Sequence, residues 1–142
     1  MDSAKYWAVT VSADHAARGR AEGIVQACHG KSAPLRRMQP GDGVVIYSPR
    51  TAFQGGEPLQ AFTAIGRISE AAPFEFDMGG GFVSWRRGVI WQEAHPVPIR
   101  PMLEDLEMTR GQKSWGMVFR YGLVQISRAD FAVIANAMLA GA

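Results

Sequence analysis

Between residue 43 and residue 97 the chain offers three strand-like runs in succession, with no helical run between them. "GVVIYSP" reads as a short buried strand. "LQAFTAIGRISEA" reads as a long one, and in "VSWRRGVIWQEAHPV" Trp85, Arg87, Val89 and Trp91 alternate against Arg86, Gly88, Ile90 and Gln92. A doubly wound parallel sheet needs a crossover helix between successive strands, so this middle third argues against it. A curled, mostly antiparallel or mixed sheet that closes toward a barrel, with helices packed around it, satisfies the pattern.

The flanks supply the helices and two more strands. "KYWAVTVSA" alternates, with Trp7, Val9 and Val11 on one side and Tyr6, Ala8, Thr10 and Ser12 on the other, as in a strand with one buried face. Asp14 can cap a helix running to about Cys28, with Ala17, Ala21, Ile24, Val25 and Cys28 as its apolar face and Gly30 as its stop. Gly19 and Gly23 weaken that helix unless a neighbour packs closely on them. "PGD" at 40–42 is a turn, and "PFEFDMGGGF" reads as a mobile connection. Pro101 starts a short helix, "TRGQKSW" is a basic loop, and "GLVQIS" is the last strand. Ser127, with Asp130 three residues on, caps a final helix whose stripe is Phe131, Ile134, Ala135 and Met138. The expected order is β-α-β-β-β-α-β-α in one α+β domain spanning 1–142.

Of the 142 residues, 47% are hydrophobic and 20% charged, enough apolar material for one core without covalent staples. A single cysteine excludes an internal disulfide, and neither a membrane-length apolar run nor a signal core is present. These features point to a soluble, cytoplasmic chain, taken as a monomer. The net charge is only +2, yet the bases cluster. Residues 15–50 hold Arg18, Arg20, Lys31, Arg36, Arg37 and Arg50 against Glu22 and Asp42, and residues 109–128 hold Arg110, Lys113, Arg120 and Arg128 with no acid. Folded onto one face, the two segments would attract a polyanion.

Residues 26–49, "QACHGKSAPLRRMQPGDGVVIYSP", concentrate the reactive side chains. The Gly-Lys-Ser triplet is not a phosphate loop. Position 25 is Val25 where that motif requires glycine, and the expected helix precedes Lys31 instead of following it. His15, His29, His95 and Cys28 form no pair at metal-ligand spacing, and Cys28 fits a core position. No nucleophile elbow, zincin or dinucleotide fingerprint occurs, and no cofactor is expected. Aromatic residues beside polar and basic ones remain: Tyr47 before Ser48, Trp85 beside Arg86 and Arg87, Trp115 after Lys113. A π-face that stacks a nucleobase, ringed by cations, is the physical basis of single-base recognition. Alternation assigns Trp7, Trp85 and Trp91 to the core, which leaves Tyr47 and Trp115 as the pocket candidates.

Five stretches in order, "KYWAVTVSADH", "ACHGKSAPLRRMQPGDGVVIYSP", "QAFTAIGRI", "VPIRPMLEDLE" and "KSWGMVFRYGLVQIS", resemble the EVE-domain family of the PUA-like superfamily, relatives of the YTH readers of methylated adenine in RNA. The resemblance covers residues 5 to 139. It implies a PUA-like mixed β pseudo-barrel of about five to six strands with flanking helices, and a cleft that takes a modified base flipped from DNA or RNA. It implies base contacts from Ser12, His29, Gly30, Lys31, Tyr47, Ser48, Trp115, Phe119 and Arg120, with Arg36, Arg37, Arg86 and Lys113 facing phosphates. The chain departs from its relatives in carrying Cys28-His29-Gly30 where they place a cage tryptophan. Either His29 supplies that face, or the pocket takes a base other than a methylated one. Two rival readings stand beside this one. A small hydrolase of acylated nucleosides would rely on His29 and Lys31, and an interaction module would have a shallow apolar cleft.

Overall fold

The structure is a computed structural model that describes residues 4–27 and 31–140. In chain order its elements are β1 (Tyr6–Thr10), α1 (Ala13–Glu22), β2 (Ile24–Val25), α2 (Ser32–Arg37), β3 (Gly43–Arg50), β4 (Pro58–Ile68), β5 (Phe74–Gly79), β6 (Phe82–Trp91), β7 (Val97–Pro98), β8 (Leu123–Ile126) and α3 (Arg128–Leu139). Short 3-10 segments cover Arg100–Met102 and Trp115–Tyr121. Among the described residues the strands form one sheet whose main path is β2-β6-β4-β3-β1-β8, with β5 added beside β6 and β7 beside β4. Only the β1–β3 pair is parallel; the rest are antiparallel. The fold is α+β, a mixed sheet curled into a half-barrel with flanking helices, as expected.

The sheet is packed on both faces, which the reading of β1 as half-buried missed. Tyr6 and Ala8 join Tyr47, Phe62 and the α3 residues Phe131, Ile134 and Met138 in one core. Trp7 and Val9 join Val44, Ile46, Ala16, Leu35 and Met38 in a second, against which Trp85 and Trp91 pack. A strand buried on both sides needs apolar residues at every position, and the pattern of β3 is buried from Gly43 through Ser48. The start of β1 is tied down by Asp42, a buried carboxylate. It accepts from Lys5 N at 3.0 Å, Trp7 Nε1 at 2.9 Å and Gln39 N at 2.9 Å.

The first helix is shorter than its apolar spacing suggests. It ends at Gly23, whose φ of 69° and N–H to Gly19 O form a left-handed cap, so Ile24 and Val25 belong to a strand paired with β6. The chain folds back so tightly that a Cβ on Gly19 would lie 2.7 Å from Ile24 O. Ala17 and Ala21 are exposed, and Ala16 and Gly19 form the buried face. The N-cap is Ser12 and not Asp14.

A second helix, α2, was not expected, and it places Lys31 before a helix instead of after one. The helix-order objection to a phosphate loop therefore falls, while the spacing objection at Val25 stands. Residues 73–82 are not an unstructured connection either. β5 and β6 form a hairpin whose turn uses Gly79, Gly80 and Gly81 at φ of 92°, 62° and 83°. Pro101 starts only a single 3-10 turn. At α3 the expected cap is present: Ser127 Oγ accepts from Asp130 N at 3.0 Å. The Asp130 carboxylate in turn accepts from Glu107 N and Met108 N, which anchors the preceding loop.

A candidate nucleic-acid cleft

The ends of β1 and β3, the stretch after β2, the β5–β6 hairpin and residues 113–122 converge on one cleft of about 990 Å³. That volume falls in the range of small-molecule pockets, about 300–1,000 Å³. Its aromatic side is built from the sheet outward. Tyr47 and Phe119, both buried, stack with centroids 4.1 Å apart and planes at 22°. Trp115 stands edge-on to Tyr47 at 6.5 Å and 86°. Phe119 and Tyr47 are spent on each other and on Phe62, while Trp115, partly buried, lines the cleft together with the exposed rings of Phe53, Phe82 and Tyr121. Burial pushes the Tyr47 phenol up to about 12, with Arg100 opposing.

Arg100 lies 5.6 Å over the Trp115 ring, and its Nε donates to Gln60 Oε1 at 2.7 Å. Gln60 is the one non-glycine described residue with positive φ, 55°. It sits in a bulge of β4, where Ser48 pairs with Ala61 but Arg50 with Pro58. The extra residue turns the Gln60 side chain toward Arg100. Among the described residues the lining holds Arg100, Lys113 and Arg120 and no aspartate or glutamate. Ser12 also lines it; its hydroxyl donates to Asp14 Oδ1, which holds the Asp14 carboxyl below its ordinary value. Thr10 Oγ1, in the same wall, is buried with no hydrogen-bond partner among the described residues.

Of the residues expected at the site, Ser12, Tyr47, Trp115, Phe119, Arg120 and Lys113 meet in this cleft. His29 and Gly30, with Cys28, lie outside the described residues. Lys31 is exposed beside α2 and does not line the cleft, whereas His15 does. Ser48 is fully buried against Thr63 Oγ1 at 2.7 Å, away from the lining. Arg36 and Arg37 lie over Trp85 and Trp7 at 5.4 Å and 5.2 Å, on α2. Arg86 is not on the surface. It is buried, pairs with Glu22 at 3.2 Å and lies 3.7 Å over Phe76, where it holds the hairpin to the end of α1.

Sequence reasoning missed Gln26, Gln60, Met78, Phe82, Ser84 and Arg100 as lining residues. The alternation of β6 does place Ser84 and Arg86 on one face. The hairpin that carries that face to the cleft depends on the three-glycine turn, where the sequence suggests a mobile connection.

The comparisons with known proteins agree with this architecture. The EVE domain profile matches residues 5–137. A UPF0310 protein of Mesorhizobium japonicum is 49% identical over 94% of this chain and 91% of its own length. UPF0310 protein YdcG of Bacillus subtilis is 38% identical over 94% and 91%. Among solved structures, the YTH domain of Zygosaccharomyces rouxii MRB1 protein in complex with N6-methyladenosine RNA superposes with a TM-score of 0.63 at 14% identity, over 96% of this chain and 87% of that one. Protein Atu2648 of Agrobacterium tumefaciens gives 0.58 at 14%, over 98% and 97%. At such identities the solved structures speak for the fold, and the profile and the UPF0310 relatives speak for kinship. By its sequence and by the curled mixed sheet just described, the chain belongs to the EVE-domain family.

Proposed function

We propose that the cleft binds a modified nucleobase turned out of its strand in DNA or RNA. The observation that carries this reading is Trp115: a partly buried indole in a cleft whose described lining holds three Lys and Arg cations and no aspartate or glutamate. Turning a base out costs a few kcal/mol. Stacking on one aromatic ring returns about 1–3 kcal/mol. Stacking alone therefore roughly balances the cost, and edge hydrogen bonds and phosphate contacts must supply the affinity. Arg100, Lys113 and Arg120 are positioned to provide the latter. Membership of the EVE-domain family and likeness to a YTH domain solved with N6-methyladenosine RNA support the same reading.

The test is a binding screen of oligonucleotides carrying modified cytosines or adenines, in DNA and RNA, with unmodified controls. Wild type is expected to bind at least one modified strand more tightly than its control. Trp115→Ala should abolish that preference while still unfolding cooperatively, with a melting temperature at most a few degrees below wild type. Equal binding by mutant and wild type would overturn the pocket assignment.

A further inference from the structure

We propose that Gln60 is a positioning residue that holds the Arg100 guanidinium as a two-pronged clamp for a phosphate next to the turned-out nucleotide; this rests on the reading of the cleft as a base pocket. Gln60 lies in the β3–β4 bulge with φ at 55°, in the left-handed region that a residue with a side chain occupies only at a cost. It grips the segment that carries Arg100 at two points. Its carbonyl accepts from Ile99 N at 2.9 Å, and its Oε1 accepts from Arg100 Nε at 2.7 Å. A guanidinium N–H only donates, so the amide atom facing it must be the oxygen. Ile99 and Met102, both buried, fix the backbone on either side of Arg100.

The far end of the side chain is held as well. Arg100 Cζ lies 5.6 Å from the centre of the Trp115 ring, and its charge opposes the upward shift of the Tyr47 phenol. The cation therefore stands against the aromatic wall of the cleft. An indole has two faces, so a cation over one leaves the second for stacking. The Nε–H is committed to Gln60. The four N–H groups of Nη1 and Nη2 meet no acceptor among the described residues, and the described lining holds no aspartate or glutamate to engage them. Two such groups in one plane match two oxygens of a phosphate, whereas a lysine ammonium offers only a point charge. A free arginine loses side-chain freedom each time it binds; here the bulge and the indole have already removed much of it. Glycine would adopt the bulge conformation freely but carries no amide, so Arg100, and not the bulge, accounts for a glutamine at this position.

The experiment uses single strands carrying one 5-methylcytosine or one N6-methyladenine, each made with ordinary phosphates or with a neutral methylphosphonate on one side or the other of that nucleotide. Wild type should lose about tenfold in affinity when one of the two neighbouring phosphates is neutralised, the scale of a charge-assisted pair of hydrogen bonds. Arg100→Lys keeps the charge but not the planar fork. It should lose about as much on the ordinary strand, keep the salt slope, and no longer respond to the methylphosphonate. Gln60→Gly should weaken the ordinary strand by about threefold with an unchanged salt slope. The same variant should melt at or above the wild-type temperature, because glycine relieves the backbone. A wild type indifferent to methylphosphonate on both sides overturns this inference and leaves the pocket standing. So does a Gln60→Gly that binds as wild type does, since Gln60 would then serve only the bulge. An Arg100→Lys that still loses tenfold to the methylphosphonate also overturns it, because the guanidinium would then not be at that phosphate. Failure of wild type to bind any of these strands overturns both the clamp and the base pocket.

Discussion

Tyr47 and Phe119 stack at 4.1 Å, and this contact joins the end of β3 to the 3-10 segment that carries Trp115. The two rings belong to the core cluster, so the stack supports the site from beneath.

That division of labour separates two substitutions. Phe119→Ala should cost about 3–5 kcal/mol, the usual scale for emptying a buried phenylalanine site. Trp115→Ala, at a partly buried ring, should cost well under half of that. Urea unfolding of the two variants checks this. Equal losses would mean that Trp115 is part of the core and not a ligand-facing ring.

The Tyr47 phenol is held up to about 12 by burial, against an ordinary value near 10. In that window the folded state keeps a proton that the unfolded chain has released, so folding stability is complete below about pH 10 and declines as the pH rises toward about 12. The midpoint of urea unfolding should fall across that interval. Tyr47→Phe should flatten the fall, and an identical slope in the variant would rule out Tyr47 as its source.

Cations in the cleft and cations outside it should behave differently in salt. Lys113→Ala and Arg120→Ala should each reduce the slope of log K against log salt by about one. Arg86→Ala should leave the slope unchanged and instead destabilise the fold, because it removes the partner of Glu22 and the cap over Phe76. A slope change in Arg86→Ala of the same size would place that guanidinium at the phosphates after all.

Gly19→Ala puts a methyl group where Ile24 O would lie 2.7 Å away. Helix propensity alone favours alanine over glycine by about 1 kcal/mol. Steric conflict with a backbone carbonyl should outweigh it, for a net loss on the order of 1–3 kcal/mol. Thermal or urea unfolding decides the sign, and a stabilised variant would mean that the fold-back relaxes freely.

Asp42 accepts three donors at once inside the sheet. Asp42→Asn replaces one acceptor oxygen by an NH₂ group that faces donors, and should cost on the order of 3 kcal/mol. Trp7→Phe, which removes one of those donors, should cost less. The same unfolding assay ranks the two.

Local pattern carried much of this protein. The alternation of residues 85–92 gave the faces of β6, the capping pair Ser127 and Asp130 gave the start of α3, and successive strand runs excluded a doubly wound sheet. Each is a property of neighbours a few residues apart, which the backbone periods of 2 and 3.6 translate directly into geometry. Trp115 opens its 3-10 segment, where an element was expected to meet a loop, whereas Tyr47 lies inside β3 and is buried.

Tertiary structure decided the rest. The helical spacing through Ile24 and Val25 was overridden because Gly23 adopts the left-handed conformation and the chain returns to pair with β6. Arg86 looked like a surface cation because no local signal records Glu22, 64 positions away, as its partner. Gln60 turns toward Arg100 only through a bulge in the register of β3 and β4. Gln26 and Ser84, 58 positions apart, meet only because the hairpin folds onto the strand that follows α1. The sequence by itself determined β1, the run of successive strands from β3 to β6 and the start of α3, since those depend on short-range periodicity and capping. Only the tertiary structure decided which polar groups face one another across the cleft, because hydrogen bonds and ion pairs between distant residues depend on strand register and loop closure.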